Sequence, residues 1–102
     1  SVILHNAVVN VGARIGANTI VNTSSVIDHD AVIGNHCHIS TGAIINGGCL
    51  IGDHCFVGSN AMIRQYLTIG DHVSIGAASV VMKNLESNGL YLGNPAVVKR
   101  RA

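Results

Sequence analysis

His29 stands between two carboxylates, in the run Asp28-His29-Asp30. Imidazole is the side chain whose ordinary titration lies nearest neutrality. A carboxylate beside it raises its basicity and holds one tautomer. That pairing suits a general base, which takes a proton from an attacking amine or hydroxyl. The other histidines are His5, His36, His38, His54 and His72. His36, His54 and His72 recur every 18 residues beside Asn35, Asp53 and Asp71. This pattern reads as a solvated polar corner rather than a set of metal ligands, and His5 reads as a surface residue. No metal site is expected: Cys37, Cys49 and Cys55 follow no zinc-finger or CxxC spacing.

The elements that must position these residues follow from a repeat of six. Cut from Val2, the chain reads VILHNA, VVNVGA, RIGANT, IVNTSS, VIDHDA, VIGNHC, HISTGA, IINGGC, LIGDHC, FVGSNA, MIRQYL, TIGDHV, SIGAAS, VVMKNL. Every second position is Ile or Val, from Ile3 through Val81, with no gap. A helix repeats near 3.6 residues and a hairpin strand alternates by two, so neither explains a strict six. Short strands separated by tight turns on the faces of a prism do explain it. Gly and Asn at third positions, such as Gly16, Gly34, Gly52 and Gly70, are read as turn residues that tolerate left-handed backbone angles. Three hexads make one triangular coil of 18 residues, with coils about 4.8 Å apart, the strand spacing of a sheet. The three cysteines fall on the small sixth position, where a buried thiol packs as a small hydrophobe. The expected fold is an all-β parallel β-helix over residues 1–85, followed by a C-terminal loop and tail over 86–102.

Composition narrows the setting. The aromatics are Phe56, Tyr66 and Tyr91, so the core must fill by regular stacking rather than with large rings. A formal charge of +1 gives no electrostatic case for nucleic acid. No stretch is long and apolar enough for a spanning helix, so no membrane partner is expected. The start carries no secretory signal pattern, and the odd number of cysteines fits a reducing cytoplasm. The chain opens on Ser1 and is expected to be part of a longer polypeptide.

The uninterrupted [Ile/Val]-Gly-x-x-x-x pattern resembles the left-handed β-helix acyltransferases. Three segments sharpen the likeness: NTSSVIDHDAVIG (22–34), HCHISTGA (36–43), and SIGAASVVMKN with the later GNPA (74–96). Together they resemble the C-terminal domain of bacterial sialic acid O-acetyltransferases and UDP-4-amino-sugar N-acetyltransferases. Handedness comes from this resemblance, because the usual crossover rule would favour a right-handed path. The family's N-terminal βαβ domain, which holds the nucleotide sugar, has no counterpart within this sequence.

The resemblance implies acetyl transfer from acetyl-CoA to an amino or hydroxyl group of a sugar or nucleotide-sugar. It implies His29 as the base and the acid immediately after it, Asp30, as its partner, with Asp28 as the alternative. It also implies that His38 contacts the acetyl group of the cosubstrate. The 18-residue register adds that Gly47, followed by Gly48, lies one coil beyond His29. A glycine there leaves room for a thioester and exposes an N–H to the developing oxyanion. The small-residue strip Gly58, Ser59, Gly76, Ala77 and Ala78 is read as a groove for pantetheine. Lys99, Arg100 and Arg101 are read either as phosphate ligands or as a solvated basic terminus. Outward first positions Val26, Val32, Ile44, Leu50, Phe56 and Met62 form apolar strips that predict a homotrimer.

Two other classes compete. A γ-class carbonic anhydrase shares this fold but needs histidines five residues apart, and no two histidines here have that spacing. A non-catalytic trimeric binding module is the remaining alternative, against which the presence of His29, Asp30 and His38 argues.

Overall fold

The β-branched second position of each hexad forms a two-residue strand with the residue before it, and successive strands turn the corners of a prism. The computed structural model describes residues 1–101 and is a left-handed parallel β-helix of about five turns. Its first face stacks Val2–Ile3, Ile20–Val21, His38–Ile39, Phe56–Val57 and Val73–Ile75. The second stacks Val8–Val9, Val26–Ile27, Ile44–Ile45, Met62–Ile63 and Val80–Val81. The third stacks Arg14–Ile15, Val32–Ile33, Leu50–Ile51 and Thr68–Ile69. Each residue pairs with its equivalent 18 positions on, as Ile27 with Ile45 and Ile33 with Ile51. Ile27, Ile33, Ile39, Ile45, Ile63 and Ile69 are buried and stack into one core. In the first coil, Ile3 and Val9 are exposed.

The turns correct one sequence expectation. Left-handed φ falls on the fifth position of the hexad, at Asn18, Ser24, Asp30, His36, His54, Asn60, Tyr66 and His72 among others. The third-position glycines Gly16, Gly34, Gly52 and Gly70 are not among the positive-φ residues. They are small for a different reason. A β-carbon on Gly34 would stand 2.7 Å from the Gly52 carbonyl carbon, and one on Gly52 would stand 2.8 Å from that of Gly70. Stacked backbone occupies the space a side chain would need.

The sixth position holds adjacent coils together. Thr19 Oγ1 donates to the Gly34 carbonyl at 2.7 Å, Cys37 Sγ to that of Gly52 at 3.1 Å, and Cys55 Sγ to that of Gly70 at 3.1 Å. Cys49 does the same to Arg64 at 3.0 Å. The thiols are buried, as expected, and also act as donors.

The segment after Leu85 is a hairpin where the broken hexad pattern predicts a loop and tail. Gly89–Gly93 runs parallel to Val73–Ile75, extending the first face, and Ala96–Arg101 returns antiparallel. Buried Tyr91 anchors it, accepting from Arg101 Nη1 at 2.8 Å and donating to the Glu86 carbonyl at 3.1 Å. The hexad repeat stops at Leu85, so its register does not reveal these strands. No helix among the described residues is long and apolar enough to cross a membrane.

Candidate active site

The corner between the second and third faces carries Asp28-His29-Asp30, then Asn46-Gly47-Gly48 one coil above, then Arg64-Gln65-Tyr66. The Gly48 N–H donates to the His29 carbonyl at 2.9 Å, and the Tyr66 N–H to the Gly47 carbonyl at 2.9 Å, so the three layers are held in register. A β-carbon on Gly47 would collide with the His29 ring, meeting Nε2, Cε1 and Cδ2. A β-carbon on Gly48 would collide with the Tyr66 ring. Most other prism glycines are small because backbone sits against them. These two are small because aromatic side chains do.

Asp30 faces the other edge of the imidazole, with Oδ2 3.4 Å from Nδ1. That is long for a hydrogen bond, and both side chains are largely exposed. A carboxylate at Nδ1 favours the proton there and leaves the lone pair on Nε2, the nitrogen that faces Gly47. Asp28 is committed elsewhere. Its Oδ1 accepts the His29 backbone N–H at 2.7 Å and Asn10 Nδ2 at 2.8 Å. The Asn10 hydrogen bond, then that from the His29 backbone, holds the Asp28 carboxyl below the usual carboxylate value. Asp28 therefore shapes the turn, and Asp30 is the acid beside the imidazole.

Gly47 is buried, and its N–H meets no acceptor among the described residues. An N–H left without a partner in a buried residue calls for an explanation. A donor aimed at an oxygen that gains negative charge is the chemistry such a group can perform.

The remaining sequence-derived residues lie elsewhere on the prism. His38 is on the first face, half-buried, with Asn22 Nδ2 3.5 Å from its Nε2 and the Phe56 ring centroid 5.6 Å away. Asn22 was not singled out by sequence; its place two residues short of one full coil before His38 is the signal that finds it. Ser59 and Ala77 occupy the corner between the first and second faces, exposed, and their N–H groups have no acceptor among the described residues. Gly58 beside them is filled by the next coil, since a β-carbon there would stand 2.6 Å from the Ala77 nitrogen. At Gly76 a β-carbon would collide with Leu92 Cδ2. The donors of this strip are its open amides at Ser59 and Ala77, and its two glycines reflect packing.

Lys99 is exposed on the last strand, at an irregularity where Tyr91 pairs with Val98 and Leu90 with Arg100. A depression of about 290 Å³ beside it is lined by Lys83, Glu86, Tyr91 and Arg101, and not by Lys99. One chain thus brings together His29, Asp30 and Gly47. It leaves His38, Ser59, Gly76, Ala77 and Lys99 on another side of the prism. His36, His54 and His72 form a stacked column with centroids 4.8 Å apart. Among the described residues no three His, Cys, Asp or Glu side chains are grouped to hold a metal ion.

Comparison with known proteins agrees with this architecture. The family model described as "Bacterial transferase hexapeptide (six repeats)" matches residues 30–65 and 48–83. No curated protein matches the sequence. Among solved structures, the acetyltransferase domain of PglB from Neisseria gonorrhoeae superposes with a TM-score of 0.94 at 34% identity, covering 95% of this chain and 47% of that one. The same domain in complex with acetyl coenzyme A gives a TM-score of 0.76 at 31% identity, covering 96% and 51%. A GDP-perosamine N-acetyl transferase from Caulobacter crescentus, solved with CoA and GDP-perosamine, gives a TM-score of 0.76 at 27% identity, covering 97% and 57%. The chain therefore spans only about half the length of these relatives, 47 to 57%.

Proposed function

Because the chain belongs to the bacterial transferase hexapeptide family, we propose that it transfers an acetyl group from acetyl-CoA to an amino or hydroxyl group of a sugar or nucleotide-sugar. The observation that carries this reading is the His29 imidazole under Gly47, with Nε2 turned to the glycine and Nδ1 to Asp30. His29 takes the proton of the attacking amine or hydroxyl at Nε2. Asp30 holds the imidazole orientation and stabilises the imidazolium that results. Gly47 offers its N–H, which has no partner among the described residues, to the charge that develops on the thioester oxygen. The solved relatives support the substrate class through the acetyl coenzyme A of one and the CoA and GDP-perosamine of another.

The working form in this reading is a homotrimer. Ile44, Leu50 and Phe56 are 37%, 49% and 44% exposed, a wet apolar surface that association would cover. The two groups of site residues lie on different sides of one prism. A neighbouring copy resolves this by setting its His38 face and its Ser59–Ala77 corner against the His29 corner. Ser59 and Ala77 then offer backbone N–H groups to the pantetheine arm, and Lys99 a charge to the phosphates. The setting proposed is the cytoplasm, which suits three free thiols held inside the core.

The test is release of free CoA from acetyl-CoA over a panel of amino sugars and nucleotide-linked amino sugars. Turnover that needs both the acceptor and His29 supports the reading. Absence of turnover with every acceptor, in a chain that binds acetyl-CoA as a trimer, counts against it.

A further inference from the structure

We infer that Asn46 is a positioning residue that keeps the Gly47 N–H open. Its consequence for turnover rests on the reading of Gly47 given above; its geometry does not. Asn46 occupies the third hexad position one coil above Asp28. Short polar side chains at such a position readily fold back onto the next backbone N–H. Asn22 does so, with Oδ1 2.7 Å from the Thr23 nitrogen, and Asp28 does so onto His29 at 2.7 Å. Asn46 does not. Its Nδ2 donates upward to the Ile63 carbonyl at 2.9 Å.

That carbonyl is also the acceptor of the Asn46 backbone N–H, at 3.2 Å. The equivalent bonds on the same corner are shorter, 2.9 Å from Asp28 to Ile45 and 3.0 Å from Arg64 to Val81. The side chain thus shares the carbonyl at the expense of the backbone bond. The other amides at this turn position that lack an acceptor among the described residues, at His5, Val11, Thr41, Ser59, Gln65, Ala77 and Lys83, belong to exposed residues. Gly47 is buried, so its open N–H has a different standing. Asn10 also sends its amide to the coil above, and the residue after it, Val11, is exposed.

Residue type decides the outcome. Ile63 presents a carbonyl oxygen, so only a donor side chain can be held there. A carboxylate at position 46 has no donor, is repelled by that oxygen, and has the Gly47 N–H within reach, as Asp28 has the N–H of His29. Asn46→Asp should therefore close the amide that Asn46 leaves open.

The experiment is amide hydrogen exchange by ¹⁵N NMR on the ligand-free chain, with turnover measured in parallel. In the wild type, the Gly47 amide should exchange faster than the hydrogen-bonded amides of His29 and Thr23. In Asn46→Asp the Gly47 amide should slow roughly tenfold or more, the scale of a hydrogen bond to a charged acceptor. Its kcat should fall about 100-fold, as for loss of one oxyanion donor, with acetyl-CoA affinity unchanged. A wild-type Gly47 amide as slow as that of His29 overturns the inference, even if the variant fails to fold. So does a folded Asn46→Asp chain whose Gly47 amide exchanges as in the wild type. The expected exchange pattern in a wild type that transfers no acetyl group leaves the Asn46 geometry standing and removes the transferase reading instead.

Discussion

The His29 imidazole occupies the space that a side chain at Gly47 would need. The two residues are 18 apart in sequence and one coil apart in the prism, and the Gly48 N–H bonded to the His29 carbonyl at 2.9 Å fixes their separation. Gly47→Ala should push the ring off its contact with Asp30 while leaving the stacked core intact. Turnover should fall about 100-fold, the scale of a misplaced catalytic group, and removing His29 in that background should add little. The contrast is Gly34→Ala, whose β-carbon meets Gly52 backbone. That change should cost about 1–3 kcal/mol of stability. Thermal melts and rates on the two variants, showing the opposite pattern, would remove the distinction between a packing glycine and a site glycine.

Asp28 and Asp30 flank the same histidine but are held differently. Hydrogen bonds from Asn10 and the His29 backbone lower the Asp28 pKa. A lowered folded pKa means that Asp28 contributes stability above its unfolded value, and that this is lost as pH falls through the folded value. Asn10→Ala should move the Asp28 carboxyl midpoint upward, as read by ¹³C NMR. Asp30→Asn should slow turnover by less than loss of His29, because the imidazole remains. An unmoved Asp28 midpoint would refute the Asn10 assignment.

The column of Thr19, Cys37 and Cys55 predicts what position 37 tolerates. Thr19 and Cys37 make the same upward bond, to the carbonyl 15 residues on. Cys37→Thr should therefore keep the bond and cost less than Cys37→Val, which loses it, by about 1 kcal/mol. Denaturant titration of the two variants checks the order.

Much of this was legible in the sequence because a strict period leaves no freedom of register. The unbroken row from Ile3 to Val81 places every residue over the one 18 before it, which is how Gly47 is found above His29. Roles that depend on side-chain direction were not legible. Asp28 and Asp30 are indistinguishable as letters, and only the Asn10 bond shows which one is engaged. Gly34 and Gly47 are both glycines, yet one meets backbone and the other a ring. The hairpin at 89–101 was missed because the hexads stop at Leu85 and no six-residue repeat marks its strands. The separation of His38 from His29 follows from the face each hexad occupies, a step beyond the period itself.

The proposed trimer carries its own prediction. Light scattering at micromolar concentration should give three times the chain mass, and Leu50→Glu or Phe56→Glu on the exposed strips should shift it toward monomer. Acetyl-CoA binding should weaken with that shift, since the donor strip and the His29 corner then belong to separate molecules. A monomeric wild type would contradict both the assembly and the shared site.

The most direct test of the account is the pH dependence of acetyl transfer in wild type and His29→Ala, with a verified acceptor, matched folding and matched acetyl-CoA affinity. In the proposed reaction His29 accepts a proton, so its protonation would suppress turnover at low pH. The account predicts a wild-type profile with an acidic limb, and in His29→Ala a rate about 100- to 10,000-fold lower from which that limb is gone. Comparable rates in the two proteins, or an unchanged acidic limb in His29→Ala, would contradict it.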